Sequence, residues 1–450
     1  MANSPAMNPA ALGGATRFGE IRSRLMFLLG ALVVYRIGTF IPVPGINKER
    51  VAEFFNDQSS TILGVVNMFS GGAMERMSIF AMGVMPYISA SIIIQMMSMV
   101  VPSLMELRKE GESGRRKITQ LTRYATVVLA LFQSFAAAAT LQAPATGAVL
   151  VPGFMTWLFP ATVTMTAGTM FLMWLGEQIT ERGVGNGISM LILVSIISGL
   201  PGAVGNTLTQ INSGEMGGPM AIGLLVGIVL ITAACVFMER AQRRITVNYA
   251  KRQVGRRMLQ GQSTHLPFKL NMSGVIPPIF ASSLLLFPAT IAQFAGTSTG
   301  GETGTLLQRI AAALNYGSPL HLMLYGALII GFAFFYTALV FNARETADNL
   351  KKSGAFIPGI RPGQQTGEYI DKVLTRLTLW GALYIAAICM LPEFIMASQD
   401  VPFQFGGTSL LILVVVVMDF AAQLQAHAMS HQYPGLMKKA NLLGGRNSGS

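Results

Sequence analysis

Positive charge is confined almost entirely to alternate segments of this chain, and that pattern constrains what it can fold into more than any other feature. Ten apolar stretches fall at roughly 25–42, 77–100, 121–141, 154–176, 185–203, 219–238, 274–295, 318–341, 374–392 and 406–423. Each is close to the ~20 residues needed to cross about 30 Å of hydrocarbon. With the N-terminus on the cytoplasmic side, 27 of the 32 Lys and Arg lie in the tails and inner loops, and five (Arg36, Lys48, Arg50, Arg76, Arg309) lie outside. Asp and Glu divide far more evenly, 12 to 8 of the 20. This is what topology set by Lys and Arg rather than by net charge produces. The expectation is an integral membrane protein with both ends in the cytoplasm.

Apolar residues make up 52% of the chain and charged residues 12%, half the charged share of a typical soluble domain. Much of the +12 formal charge is therefore topological and says little about nucleic acid. Cys235 and Cys389 both sit inside apolar runs, where small packing residues are expected and no disulfide framework is available. The stretch after Arg22 and Arg24 lacks a small-residue cleavage site and runs into Arg36 and Pro42, so it reads as a retained first span rather than a signal peptide.

Backbone polar groups cannot stay unpaired in lipid, so the spans must be helices. Small residues such as Gly168, Gly176 and the run Ala136 to Ala139 allow close helix approach. The 61–75 stretch, TILGVVNMFSGGAME, is apolar, too short to span, and broken by Gly64, Gly71 and Gly72. It is either a surface loop or a segment enclosed by protein at membrane depth.

An internal repeat stands out. Gly83-Val84-Met85-Pro86-Tyr87-Ile88-Ser89-Ala90-Ser91 in the second span matches Gly274-Val275-Ile276-Pro277-Pro278-Ile279-Phe280-Ala281-Ser282 in the seventh at six of nine positions. An odd offset of five spans makes the two copies run oppositely through the bilayer. Inverted halves place a functional path at their interface.

The span middles are almost free of charge. Arg36 and Arg76 lie toward outer ends, Glu177, Glu239 and Asp419 toward inner ends, and His265, His321, His427 and His431 in loops, span ends or the tail. A carrier coupled to ions needs intramembrane ionisable groups, and there is no metal-ligand cluster, phosphate loop or nucleophile elbow. Neither an enzyme nor an ion-coupled solute transporter is well served, although span count and inverted halves keep the transporter as the alternative reading. Branched aliphatics at the repeat can form a hydrophobic constriction that gates by excluding water; ordinary helix packing is the competing account.

From Arg240 to Lys269 there are eight Lys and Arg and no acid. A second segment, RETADNLKKSGAFIPGIRPGQQT, carries Lys351, Lys352 and Arg361, and its Gly and Pro residues predict a shaped tip. Clustered Arg can take phosphates or carboxylates bidentately, so RNA or an acidic protein surface could dock there. Attraction to anionic lipids, at about 1 kcal/mol per basic residue, accounts for the same charge.

From about Phe18 to Asn441 the chain resembles the SecY family, the channel subunits of the bacterial Sec protein-export translocon. The resemblance rests on RIGTFIPVPGI, NMFSGGAMERMSIFAMGVMPYISASIIIQ, EGESGRRKITQ, MFLMWLGEQITERGVGNGIS, RRITVNYAKRQVGRR, GVIPPIFASSLLLFPATIA, FYTALVFNARETADNLKKSGAFIPGIRPG and GGTSLLILVVVVMDF. It implies an all-α membrane protein, with ten transmembrane helices in two inverted five-helix halves around a central pore and a short re-entrant plug helix. The halves are 25–205, with the plug at about 61–75, and 206–424, with basic cytoplasmic loops at about 240–272 and 342–373. Segments 1–24 and 425–450 are cytoplasmic tails.

The resemblance further implies passage of unfolded secretory proteins across the plasma (inner) membrane and lateral release of apolar segments between helices 2/3 and 7/8, driven from outside the chain. Its pore ring falls on Val84, Ile88, Ile188, Ile192, Ile279 and Ile412; position 84 carries Val where many relatives carry Ile. The plug falls on Ile62, Leu63, Val65, Val66, Met68, Phe69, Gly71 and Gly72, and the lateral gate on Ser89, Gln133, Asn271 and Phe287. Docking of the motor or ribosome falls on Arg243, Arg244, Lys251, Arg252, Arg256, Arg257, Lys351, Lys352 and Arg361. The partners implied are the SecE and SecG subunits, the SecA ATPase, the ribosome, signal peptides and nascent chains, and anionic lipids, with SecDF and YidC more remote. No cofactor or metal is implied.

Overall fold

The computed structural model describes residues 9–57, 67, 69–142, 147–214, 217–249, 252–254, 257–259, 263–285, 313, 318–399 and 407–444. Two compact units are present: the described residues up to Leu200 together with Val416 onward, and those from Pro201 to Val415. Among the described residues seven helices are long and apolar enough to cross a membrane, or eight if one bent pair counts as a single span.

The first unit contains α1 (Pro9–Gly38), α2 (Lys48–Asp57), α3 (Met85–Val100), α4 (Pro102–Lys109), α5 (Glu112–Gln142), a π turn (Phe154–Leu158) leading into α6 (Phe159–Arg182), and the first half of α7 (Gly187–Ser213). Thirty-residue helices such as α5 exceed a bilayer's thickness, and the excess at its start is polar (ESGRRK). Apolar packing centres on Trp157, Met165, Met77, Met82, Phe55 and Leu141, and the Trp157 indole satisfies its one donor on the Ala138 carbonyl at 3.0 Å. Close helix approach is built in at Gly168, where a Cβ would come 1.9 Å from the Ile79 carbonyl oxygen.

The expected second span at 77–100 is corrected. Its helix starts only at Met85, and residues 77–84 form turns. The reason is pairing across the chain. Val43 N–H donates to the Met77 carbonyl (2.9 Å) and Ile79 N–H to the Ile41 carbonyl (3.0 Å), so this apolar segment satisfies its backbone in a strand-like bridge, Pro42 opposite Ser78. Met77 takes φ 43°, which costs a non-glycine residue energy and breaks the helical path. Beyond Val100 the chain bends by 96° into α4, at Pro102, whose ring excludes helical geometry from the residue before it.

The second unit contains α8 (Gly218–Arg240), β1 (Gln242–Tyr249), β2 (Arg252–Val254), β3 (Arg257–Leu259), β4 (Ser263–Lys269), α9 (Ile276–Leu285), α10 (Pro319–Val340), α11 (Ala343–Lys352), β5 (Ala355–Phe356), α12 (Gln364–Gln399) and the start of α13 (Gly407–Gly444). The strands are an addition to the all-α expectation. β1 lies between β4 and β5, antiparallel to both, with Ile245 opposite Leu266 and Tyr249 opposite Ala355. Buried Ile245 and Val247 alternate with exposed Arg244 and Thr246, the two-residue period of a half-buried strand. Ile245, Val247, Phe268, Ala355, Ile357, Ile370 and Leu374 pack into one small core. The two basic loops are therefore one folded module, tied to the membrane by the same helix, α12, that carries Ile370 and Leu374.

Candidate functional site: a repeated apolar element and a basic module

The two copies of the repeat adopt the same local structure. Gly83 has φ 57° and Gly274 φ 61°, a left-handed turn that glycine takes without steric cost. Helix then begins at Met85 in one copy and Ile276 in the other, each with a proline in its first turn. Val84 and Val275, Pro86 and Pro277, Ile88 and Ile279, and Ala90 and Ala281 are buried in matching pairs. The first helical bonds match as well, from Ile88 N–H to the Val84 carbonyl and from Ile279 N–H to the Val275 carbonyl.

Five of the six expected ring residues (Val84, Ile88, Ile192, Ile279 and Ile412) are buried. The sixth, Ile188, is half-buried and packs on α6, where a Cβ at Gly176 would stand 3.0 Å from its Cγ1. Aliphatic residues on the other faces of the same helices, such as Ile93 and Ile197, are exposed. Val84, Ile88, Ile188 and Ile192 belong to the first unit, Ile279 and Ile412 to the second.

Of the expected plug residues, Ile62, Leu63, Val65, Val66 and Met68 lie outside the described residues. Phe69 and Gly71 are buried and Gly72 half-buried. Here the chain is tightly knotted. The Asn67 side chain accepts from Glu75 N–H (3.0 Å) and donates to the Glu75 carboxylate (3.3 Å). Ser70 Oγ donates to the Asn67 carbonyl (2.9 Å), and Gly71 and Gly72 take φ 68° and 76°.

Among gate candidates, Ser89 and Gln133 are half-buried and Phe287 lies outside the described residues. Asn271 is buried and fully engaged within its own unit. Its amide nitrogen donates to the buried Glu239 carboxylate (2.5 Å) and to the Gly274 carbonyl (3.2 Å). Its oxygen accepts from Gly274 N–H (3.0 Å) and Ser273 Oγ (3.1 Å). That side chain anchors the end of α8 to the turn that launches α9. α9 in turn packs its Phe280 edge-on against Phe332 of α10, centroids 5.8 Å apart.

The docking candidates Arg243, Arg244, Lys351, Lys352 and Arg361 are all exposed. Lys251 and Arg256 lie outside the described residues, while Arg252 and Arg257 open β2 and β3. The Arg361 tip is shaped by Gly359 and Gly363, with φ 82° and 111°, and pinned by Thr366 Oγ1 donating to the Arg361 carbonyl (2.9 Å).

Sequence reasoning passed over two polar clusters. Tyr35, Ser70, Ser195 and Ser198 meet in the first unit. In the second, buried His321 in the first turn of α10 faces buried Glu393 of α12, 3.3 Å apart. Both sit toward helix ends, as the sequence suggests, but their pairing joins positions that no local pattern connects. No cluster of three or more His, Cys, Asp or Glu able to hold a metal exists among the described residues.

Comparison with known proteins agrees with this architecture. The SecY family model matches residues 78–421. The protein translocase subunit SecY of Vibrio cholerae is 59% identical over 425 residues, covering 94% of this chain and 96% of that protein. Its Escherichia coli counterpart is 57% identical over 447 residues, 99% of each. A solved protein-conducting channel superposes with TM-score 0.65 at 17% identity over 96% of both chains. Canine Sec61, from a ribosome–channel complex of the endoplasmic reticulum, gives 0.63 at 16%, again over 96% of each. Those two distant structures establish a shared fold. The chain is a multi-pass membrane protein and belongs to the SecY family.

Proposed function

We infer that this chain is the protein-conducting subunit of a translocase, in which unfolded secretory proteins pass a constriction lined by Val84, Ile88, Ile188, Ile192, Ile279 and Ile412. The observation that carries the reading is the repeated Gly–Val–x–Pro–x–Ile element, which buries an aliphatic pair in the same backbone setting in each unit. Aliphatic walls form no lasting hydrogen bonds with a moving peptide, so any sequence can slide past. The same walls disfavour water and ions in the narrow part when the channel is idle.

Apolar segments leave sideways between the second and third spans on one side and the seventh and eighth on the other, gaining roughly 0.3–0.6 kcal/mol per Leu, Ile, Phe or Val in lipid. Work comes from outside, through SecA or a translating ribosome engaging the exposed basic module around Arg361, with SecE and SecG as companion subunits. The setting is the bacterial plasma membrane, both termini cytoplasmic. An ion-coupled carrier is not favoured: the buried His321–Glu393 pair lies at helix ends rather than mid-span.

The test is ion conductance of the purified channel in planar bilayers. Ile88→Asn and Ile279→Asn are expected to raise idle conductance; unchanged conductance in both would count decisively against a gating ring.

A further inference from the structure

The turn at Phe69–Gly72 is held by hydroxyl groups from two different helices, and one of those helices carries the ring. Tyr35 of α1, only 2% exposed, directs its Oη to the Ser70 carbonyl at 3.2 Å. The same oxygen lies 2.5 Å from Ser195 Oγ of α7, either hydroxyl supplying the proton. Ser195 Oγ is also 2.9 Å from the Leu191 carbonyl, so its single proton serves either that carbonyl or Tyr35, while Ser198 Oγ donates to the Ser195 carbonyl (2.6 Å) and stands 3.4 Å from the Gly71 carbonyl. Gly71 is pressed so closely on α7 that a Cβ there would stand 2.9 Å from Ser198 Oγ and 3.1 Å from Ser195 Cα. On its other side the turn backs onto the segment that leads into α3: a Cβ at Gly83 would meet Ser70 Cα at 3.5 Å.

Ring residue Ile192 lies three positions before Ser195 on α7, and ring residue Val84 follows Gly83 directly. Movement of α7 away from the turn, which widens the ring, therefore stretches or breaks these bonds. Tyr35, Ser70 and Ser195 are buried, so each bond lost among them carries a desolvation cost.

We propose that the Tyr35 hydroxyl, bridging Ser70 and Ser195, is the latch that couples the 69–72 turn to the ring-bearing helix and sets how often the idle channel opens. The proposal rests on the channel reading above and adds a positioning residue to it. Tyr35→Phe removes one oxygen and leaves the ring's stacking on Phe80, centroids 6.2 Å apart, in place. Losing one net hydrogen bond shifts a closed-to-open equilibrium by about two- to twelvefold, and idle conductance rises by that factor. Ser195→Ala has a similar effect, and the double variant adds little to either, because both sever the same bridge. Gly71→Ala, which forces the turn off α7, raises conductance without touching either hydroxyl.

The experiment measures potassium conductance of the full channel complex in planar bilayers for Tyr35→Phe, Ser195→Ala, the double variant and Gly71→Ala, with Ile88→Asn alongside and thermal midpoints recorded for each. The expected result is raised conductance in all five, with the two hydroxyl variants sub-additive. If Ile88→Asn conducts and Tyr35→Phe and Ser195→Ala stay at the wild-type level, even with lowered thermal midpoints, the bridge is merely structural and the proposal is overturned. If Ile88→Asn is silent as well, the channel reading fails and the latch fails with it.

Discussion

Asn271 offers the sharpest energetic test, because one side chain holds two helices and a turn together. Asn271→Ala removes a bond to the buried Glu239 carboxylate and three to Ser273 and Gly274. A hydrogen bond to a charged partner contributes about 1.5–3 kcal/mol and a neutral one about 0.5–1.5. Bonds sharing one side chain are not additive, so the loss is roughly 3–4 kcal/mol. For a cooperative unit of about 150–250 residues that corresponds to a fall of about 6–16 °C in Tm. The assay is thermal unfolding of the purified channel in detergent, followed by intrinsic fluorescence. In a Glu239→Gln background the same substitution should cost less, because the carboxylate it serves has gone. A shift below about 2 °C, or equal costs in the two backgrounds, would refute the anchoring argument. Lost gating with unchanged stability would instead give Asn271 the lateral-gate role the resemblance implies.

Gly168→Ala places a methyl group 1.9 Å from the Ile79 carbonyl oxygen. Overpacking of this kind costs about 1–3 kcal/mol, which a lowered thermal midpoint should reveal, while Gly199→Ala, whose Cβ meets nothing within 4 Å, should leave it unchanged. Arg361→Glu reverses charge at an exposed, well-formed tip and should abolish motor-driven transport of secretory proteins into reconstituted vesicles at normal protein level. Normal transport would remove Arg361 from the docking surface.

What the residue pattern disclosed was what depends on local sequence. The repeat was legible because identity at Gly83/Gly274, Pro86/Pro277 and Ile88/Ile279 specifies turn, helix start and inward face together, all within one short stretch. Helix α8, uncharged and almost wholly apolar from Gly218 to Met238, could hardly be anything but a span. Residues 77–84 misled because their apolar run looks helical, whereas their partners are Ile41 and Val43, far along the chain. The hairpin of β1 and β4 was hidden by its charge. Arg243 and Arg244 drew attention to what might dock, and the alternation of Ile245 and Val247 with polar neighbours went unused. The Tyr35–Ser70–Ser195 bridge joins three separate segments, and a hydroxyl inside an apolar run carries no sign of which distant carbonyl it will meet.

A polypeptide caught halfway through the channel decides the central question. With Cys235 and Cys389 replaced by Ala, single Cys residues at positions 84, 88, 188, 192, 279 and 412 should each crosslink to a stalled, partly exported chain. Cys at exposed positions of the same or neighbouring helices, such as Ile93, Ile197 and Val229, should not. Strong crosslinks at the exposed positions, with the six interior ones silent, would mean that the chain travels by another route.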